Sequence, residues 1–315
     1  MSLMNRHSDA LRERHGDRVW RIGLDGGFSC PNRRLGRGAG GCIYCSPEAG
    51  RAVYLPEGES SIERQVAAGV DYLRRRYGAR LFFPYFQAYS STFAKIEEMR
   101  LRYDEALRAT TRAAPDGLRG LAVSTRPDCI DEEKADLLAS YAKEGLEVWV
   151  ELGLQSSHDA TLSRIDRGHD YACFVRARRT LAEAGLRTAV HLMLGLPGEG
   201  ESDMRETVSR IASLSLEGVK FHDLLIPKGS ILASEYLSGE ISLMHSSRLP
   251  GLLADCLELL DPACEVIRLR ADAPADTLLA PRRRPDKARL YRAVEAELAS
   301  RGSRQGSRRG VAIFP

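Results

Sequence analysis

Along the chain, short runs rich in β-branched and aromatic residues alternate with longer stretches whose apolar positions recur at helical spacing. These two periods are the main local signals for strands and amphipathic helices. They predict strands over Val19 to Asp25, Arg80 to Gln87, Leu118 to Thr125, Leu146 to Leu154, Arg187 to Leu194 and Glu217 to Ile226. Helices are predicted between them, over Ser60 to Tyr77, Lys95 to Ala113, Asp131 to Glu144, Tyr171 to Ala184 and Glu201 to Leu214. Asp131 suits a helix start, and Gly145 and Gly185 stand where helices should stop. The run LEVWVELGL is apolar almost throughout, as expected of a strand buried on both faces.

Regular strand–helix alternation implies right-handed parallel βαβ units. Six units are too few for a closed eight-stranded barrel. The expected fold is therefore α/β, a partial (β/α)6 TIM-like barrel with a C-terminal α+β extension. In such barrels the chemistry sits at the C-terminal ends of the strands. The polar, Gly-rich segments do follow strands: GGFSCPNRRLGRGAGGCIYC after the first, QAYSST after the second, STRPDC, GLQSS and GLPGEG after the next three. The expected division is an N-terminal extension over 1–17, the barrel over 18–230, and an extension covering the barrel mouth over 231–300. The last segment, 301–315, has Ser, Gly and Arg without an apolar pattern and is expected to be disordered.

With 43% hydrophobic residues in 315, the chain can bury a sizeable core. A net charge of only +3 argues against a general polyanion binder. No apolar run approaches the ~20 residues of a membrane-spanning helix. The N-terminal residues lack the apolar stretch of a signal peptide. The expectation is a cytoplasmic protein without a membrane partner.

Seven cysteines in such a chain should be thiols or metal ligands, because disulfides are rare in a reducing cytosol. Cys30, Cys42 and Cys45 crowd into one Gly-rich loop, with two residues between the last pair. Glycine lets such a loop wrap a compact inorganic group. Electron-transfer iron–sulfur clusters normally use four cysteines, so three would leave one iron open. A structural zinc site needs a fourth protein ligand, and 16–55 contains no histidine. Cluster, zinc and unligated thiols all remain open on spacing alone. Cys129, Cys173, Cys256 and Cys264 are scattered singly and read as buried packing.

The segment LDGGFSCPNRRLGRGAGGCIYC resembles the cluster loop of radical S-adenosylmethionine (SAM) enzymes, with Tyr44 as the aromatic before the final cysteine. YFQAYSST, STRPDC, ELGLQS, DRGHD and LGLPGE agree in order and context. Together, from about Arg18 to about Pro281, they resemble a bacterial family related to oxygen-independent coproporphyrinogen oxidases and the catalytic subunit of Elongator. That resemblance implies a [4Fe–4S] cluster on Cys30, Cys42 and Cys45, whose open iron chelates SAM. It also implies reductive cleavage of SAM to a 5′-deoxyadenosyl radical, with electrons from a flavodoxin- or ferredoxin-type donor. Gln155 matches a glutamine beside the SAM ribose, and Arg167 an arginine that pairs with the methionyl carboxylate. Ser124 stands where a ribose-binding acid is common, and His191 where the porphyrinogen oxidases carry an aspartate. Cys129, on the predicted catalytic rim, is a second-tier candidate hydrogen-atom donor beside its packing role.

For the substrate, the resemblance implies tRNA, at the wobble uridine. Arg74 to Arg76, Arg282 to Arg284 and the Arg-rich tail are candidate phosphate contacts, although charge runs are usually solvated faces. A small molecule such as a tetrapyrrole is the alternative substrate, and a zinc-stabilised binding module the non-catalytic alternative. Glu151 reads as a solvated strand end, a buried ion pair or a functional acid. His169 reads as surface or site, and Arg126 and Asp128 as a pair or as ligand contacts.

Overall fold

Seven parallel strands frame the molecule: β1 (Val19–Leu24), β2 (Leu81–Phe86), β3 (Gly120–Thr125), β4 (Glu147–Gln155), β5 (Arg187–Leu194), β6 (Gly218–Asp223) and, after the short β7 (Ile226–Pro227), β8 (Glu265–Arg268). Their spatial order is β1-β2-β3-β4-β5-β6-β8, and each neighbouring pair is parallel. β7 pairs with β9 (Leu278–Ala280) in a separate antiparallel ribbon. Ten helices complete the described chain: α1 (His7–His15), α2 (Ile62–Tyr77), α3 (Ile96–Ala113), α4 (Glu132–Lys143), α5 (Asp159–Arg164), α6 (Tyr171–Glu183), α7 (Glu201–Ala212), α8 (Ile231–Leu237), α9 (Leu249–Leu259) and α10 (Lys287–Ser300). This is a computed structural model, and it describes residues 2–33, 40–45, 52, 54, 55, 58–282, 284 and 286–310.

Alternation along each strand sorts its side chains between two cores. Ile22, Phe82, Val123, Val150, Val190 and Phe221 meet the apolar stripes of the flanking helices in the larger core. Val19, Phe83, Tyr85, Ala122, Trp149 and Ala189 turn the other way and pack together, with Leu11 of α1 among them. That helix therefore closes the N-terminal end of the half-barrel. Complete burial of an aromatic side chain such as Trp149 contributes about 2–3 kcal/mol.

The predicted α/β half-barrel is present, with local devices where the residue types call for them. Asp131 accepts from the Lys134 amide at the start of α4. Gly145 and Gly185 adopt positive φ of 91° and 72°, which glycine tolerates best at a helix end.

Two expectations need correction. The sheet has seven strands where six were predicted: β8, from the segment assigned to the extension, continues it beside β6. The tail is also not disordered over 301–310. Gln305 is buried, donates to the carbonyls of Asp261 and Cys264 at 2.7 Å each, and accepts from the Asn5 amide at 2.8 Å. The Gly306 and Arg308 amides reach the carbonyls of Leu257 and Glu258 at 3.0 and 2.8 Å. The last turn of a helix leaves carbonyls without partners, and this tail supplies them for α9 through backbone amides, which no apolar pattern records. Residues 311–315 lie outside the described residues.

Among the described residues, no helix is long and apolar enough to cross a membrane.

Candidate cofactor site at the barrel rim

The loop after β1 folds by short-range hydrogen bonds. The Arg33 amide donates to the Cys30 carbonyl at 2.8 Å, Gly41 to Asn32 at 3.0 Å, and Cys45 to Cys42 at 2.8 Å. The last of these turns brings the thiols of Cys42 and Cys45 within hydrogen-bonding reach of each other. Cys42 is buried, while Cys30 and Cys45 are partly so. The Ile43 amide anchors the turn on the Ile165 carbonyl at 3.2 Å. Residues 34–39 of the loop lie outside the described residues.

Two donors converge on Cys42 Sγ: Asn32 Nδ2 at 3.4 Å and Arg167 Nη1 at 3.5 Å. The hydrogen bond from Cys45, and then the Arg167 and Arg126 charges, hold the Cys42 thiol well below its ordinary pKa against the opposing effect of burial. The shared hydrogen bond and burial push Cys45 upward.

Arg167 comes from the turn after α5 and is itself buried. Its Nη2 donates to the Gly153 carbonyl, and its Nε to His169 Nε2 at 3.1 Å. A Cβ at Gly153 would stand 2.5 Å from Arg167 Nη2 and 3.0 Å from Gln155 Nε2. The glycine of LGLQ is therefore what admits both side chains. Gln155 ends β4 at a register shift against β5 and holds φ at 79°, in the left-handed region. A residue with a Cβ pays about 1–2 kcal/mol for that conformation, a kind of strain that clusters at functional sites. His169 is pushed down to about 4 by burial and by the Arg167 charge, so it stays neutral.

The Arg126 and Asp128 side chains form a two-pronged pair, with Nε–Oδ1 at 2.8 Å and Nη2–Oδ2 at 2.7 Å. Arg126 Nη1 is buried without a hydrogen-bond partner, and Tyr44 is buried beside the Cys42 thiol. Ser124 lies in register beside Glu151, and its carbonyl accepts from the Ser91 amide at 3.1 Å. Cys129 is buried, with Ser90 Oγ 3.6 Å from its sulfur. Burial pushes its thiol up to about 12, so it keeps its proton.

Deeper in the half-barrel lies an assembly the sequence disclosed only in part. Glu151 is 0% exposed and is the buried ion pair among its three readings. Its Oε1 is bound by Arg21; its Oε2 accepts from Tyr85 Oη at 2.6 Å, His191 Nε2 at 2.7 Å and Lys220 Nζ at 2.8 Å. Burial opposes the charge, but Arg21, Lys220 and His191 hold the carboxyl well below its ordinary value. Burial brings Lys220 down to about 7 and His191 to about 4. His191 is thus committed to Glu151 through Nε2 and stacks on His222 at 5.4 Å between ring centres. Arg21, Tyr85 and Lys220 were not predicted. The available signal was an acid in the middle of an apolar strand, which demands cations from neighbouring strands.

The rim suits a bound inorganic cluster. Thiols are soft iron donors, a guanidinium beside one of them favours its thiolate, and one buried polar atom, Arg126 Nη1, has no partner. Among the described residues no group of three His, Cys, Asp or Glu that could hold a metal ion is gathered: Cys42 and Cys45 meet, and Cys30 does not complete a trio with them.

Residues 34–211 match the model of the radical SAM superfamily, and residues 216–300 that of the radical SAM C-terminal domain. The chain belongs to the radical SAM superfamily. It is 38% identical over 281 residues to protein YhcC of Escherichia coli strain K12, covering 89% of this chain and 87% of that protein. It is 28% identical over 159 residues to a tRNA uridine(34) acetyltransferase of Dehalococcoides mccartyi, covering 50% of this chain and 34% of that one. The fold matches archaeal Elp3 of Methanocaldococcus infernus with a TM-score of 0.71 at 18% identity, over 91% of this chain and 64% of that structure. This chain is thus a radical SAM enzyme, and membership implies SAM, a [4Fe–4S] cluster and a source of electrons.

Proposed function

We propose that Cys30, Cys42 and Cys45 hold the cluster, that Arg167 and Gln155 receive SAM beside it, and that the substrate is tRNA at the wobble uridine. The observation that carries the cofactor assignment is the Arg167 guanidinium at 3.5 Å from Cys42 Sγ, linking the DRGHD turn to the cysteine loop. When bound, the cluster supplies the electron that splits the sulfonium bond of SAM. Arg167 offers a planar donor pair suited to a carboxylate, and Gln155 is held beside it by the clearance at Gly153. Ser124 and His191 are weaker candidates for the ribose. His191 already spends Nε2 on Glu151, which leaves its other ring nitrogen for a ligand.

The RNA reading rests on likeness to the uridine(34) acetyltransferase over half the chain and on the Elp3 fold. An unpaired anticodon base can reach a recessed site, whereas a base inside an A-form helix cannot. The phosphate contacts expected at Arg282 to Arg284 need revision. Arg284 turns inward and binds both carboxylate oxygens of Asp223 at 2.9 Å, so it faces no backbone. Arg282 is exposed, and Arg283 lies outside the described residues. The test is mass spectrometry of tRNA nucleosides from a deletion strain. Accumulation of a wobble-uridine precursor is expected, and an unchanged nucleoside profile overturns the RNA reading.

A further inference from the structure

A chamber of about 540 Å³ opens beyond the C-terminal ends of β5 and β6, between the barrel and the C-terminal segment. Its apolar wall includes Leu224, Leu243, Met244, Leu249 and Leu279. Its charged floor is rich in arginine. Arg270, Arg282 and Arg284 line it with one acid among the lining residues, Asp223. Asp223 is shared between Arg284 at 2.9 Å and Arg270 at 3.9 Å. Arg284 Nε is buried without a hydrogen-bond partner. Burial and the neighbouring Arg284 charge hold Arg270 below the ordinary arginine value. Asp223 is the lining acid beside both guanidiniums, with Asp272 and Asp286 also acting on Arg270, and the buried Arg284 Nε–H is where a bound anion would gain a hydrogen bond.

The chamber also lies close to the cofactor site. Tyr236 and Leu237, at the end of α8, line it. At the other end of the same helix the Leu232 amide donates to the Ile43 carbonyl of the cysteine loop at 3.0 Å. Seven residues of helix span roughly 10 Å.

We propose that this chamber binds a small organic anion, an apolar body bearing one carboxylate or phosphate, with its charge on Arg284 and Arg270 and its body against Leu243, Met244 and Leu279. Planar guanidinium forks suit either group, and the volume falls within the range of small-molecule sites. This ligand class is read from the chamber's own walls and does not depend on the RNA reading. The anion could arrive free or as an appendage on a nucleotide.

The test is calorimetric titration of the cluster-reconstituted full chain with octanoate, octyl phosphate and neutral octanol. At least one anion should bind ten times more tightly than octanol. Arg284→Gln should bring that anion to within threefold of octanol. Met244→Trp, which fills the apolar wall and leaves the charges in place, should weaken the anion at least tenfold. It keeps the test valid if loss of the Asp223 pair unfolds the Arg284 variant. Equal affinity for octanol and both anions, or anion binding unmoved by Met244→Trp, overturns the proposal. Adding tRNA transcript then distinguishes the sources: displacement of the bound anion means it arrives on RNA, and unaltered binding means it is a free small molecule. Iron content and SAM cleavage, measured separately, report on the cofactor assignment and not on this one.

Discussion

Two buried polar assemblies share the half-barrel, and they are finished to different degrees. Around Glu151, four side chains from four strands meet one carboxylate, and Tyr85 and Lys220 also bond each other at 2.9 Å. Around Cys42, a thiol, an arginine and an asparagine converge, yet Arg126 Nη1 is left without a partner. Buried polar groups in folded proteins are nearly always paired. The Glu151 network is closed around its carboxylate, although His222 Nε2 beside it has no partner, while the Cys42 network is open at Arg126 Nη1, on a charge that acts on the thiol. In the outer chamber Arg284 Nε is likewise buried without a partner.

Removing the centre of the closed network should have the largest effect. Glu151→Leu strands two buried cations, and breaking a buried pair costs about 3–5 kcal/mol. Urea unfolding of the unloaded chain measures this. Adding Lys220→Met should recover part of the loss, and a cost under ~1 kcal/mol would mean that water reaches the network.

The open network should respond the opposite way. Alanine at Cys30, Cys42 or Cys45 should reduce bound iron to background while moving the stability of the unloaded chain by no more than ~1 kcal/mol. Cys256→Ala, in the core, should keep its iron and lose about 1–2 kcal/mol. A full iron complement in any of the first three variants removes that cysteine from the ligand set.

Arg167→Ala should weaken SAM by roughly thirtyfold, since losing a partly buried charge-assisted pair costs about 2 kcal/mol. Gln155→Ala should cost less. Equilibrium dialysis on iron-loaded protein checks both, and unaltered affinity in the Arg167 variant would detach it from the site.

The smallest effect concerns acid. His191 titrates at about 4 when folded, because of burial and the Lys220 charge, against an ordinary 6.5. Between those values the unfolded chain binds a proton that the folded chain refuses, so stability should fall as pH drops from 6.5 toward 4. His191→Asn should lessen that fall by roughly 1–2 kcal/mol. Parallel stability–pH curves for variant and parent would place the acid sensitivity elsewhere.

The half-barrel was legible because both of its periods are written in apolar residues. The site was legible where chemistry is concentrated in one loop, as at Cys30, Cys42 and Cys45. What escaped depends on partners far apart in sequence. Lys220 reads as an ordinary strand residue until Glu151, on another strand, is seen to need it. Gln305 and the tail escaped because their contribution is made through amides and not apolar side chains. Arg284 looked like part of a surface patch because a run of arginines does not reveal which member turns inward.

The pinned tail has a consequence for synthesis. The Gln305 amide donates to the Leu3 carbonyl at 2.9 Å, and α1, which begins at His7, stops the floor of the half-barrel. Residues about three hundred positions apart, made far apart in translation, therefore form one structural piece. At about 5–20 residues per second, the ribosome needs roughly 15–60 s to bring Gln305 to Leu3. The cysteine loop emerges early in that interval, before the contact that joins Gln305 to Leu3 can form.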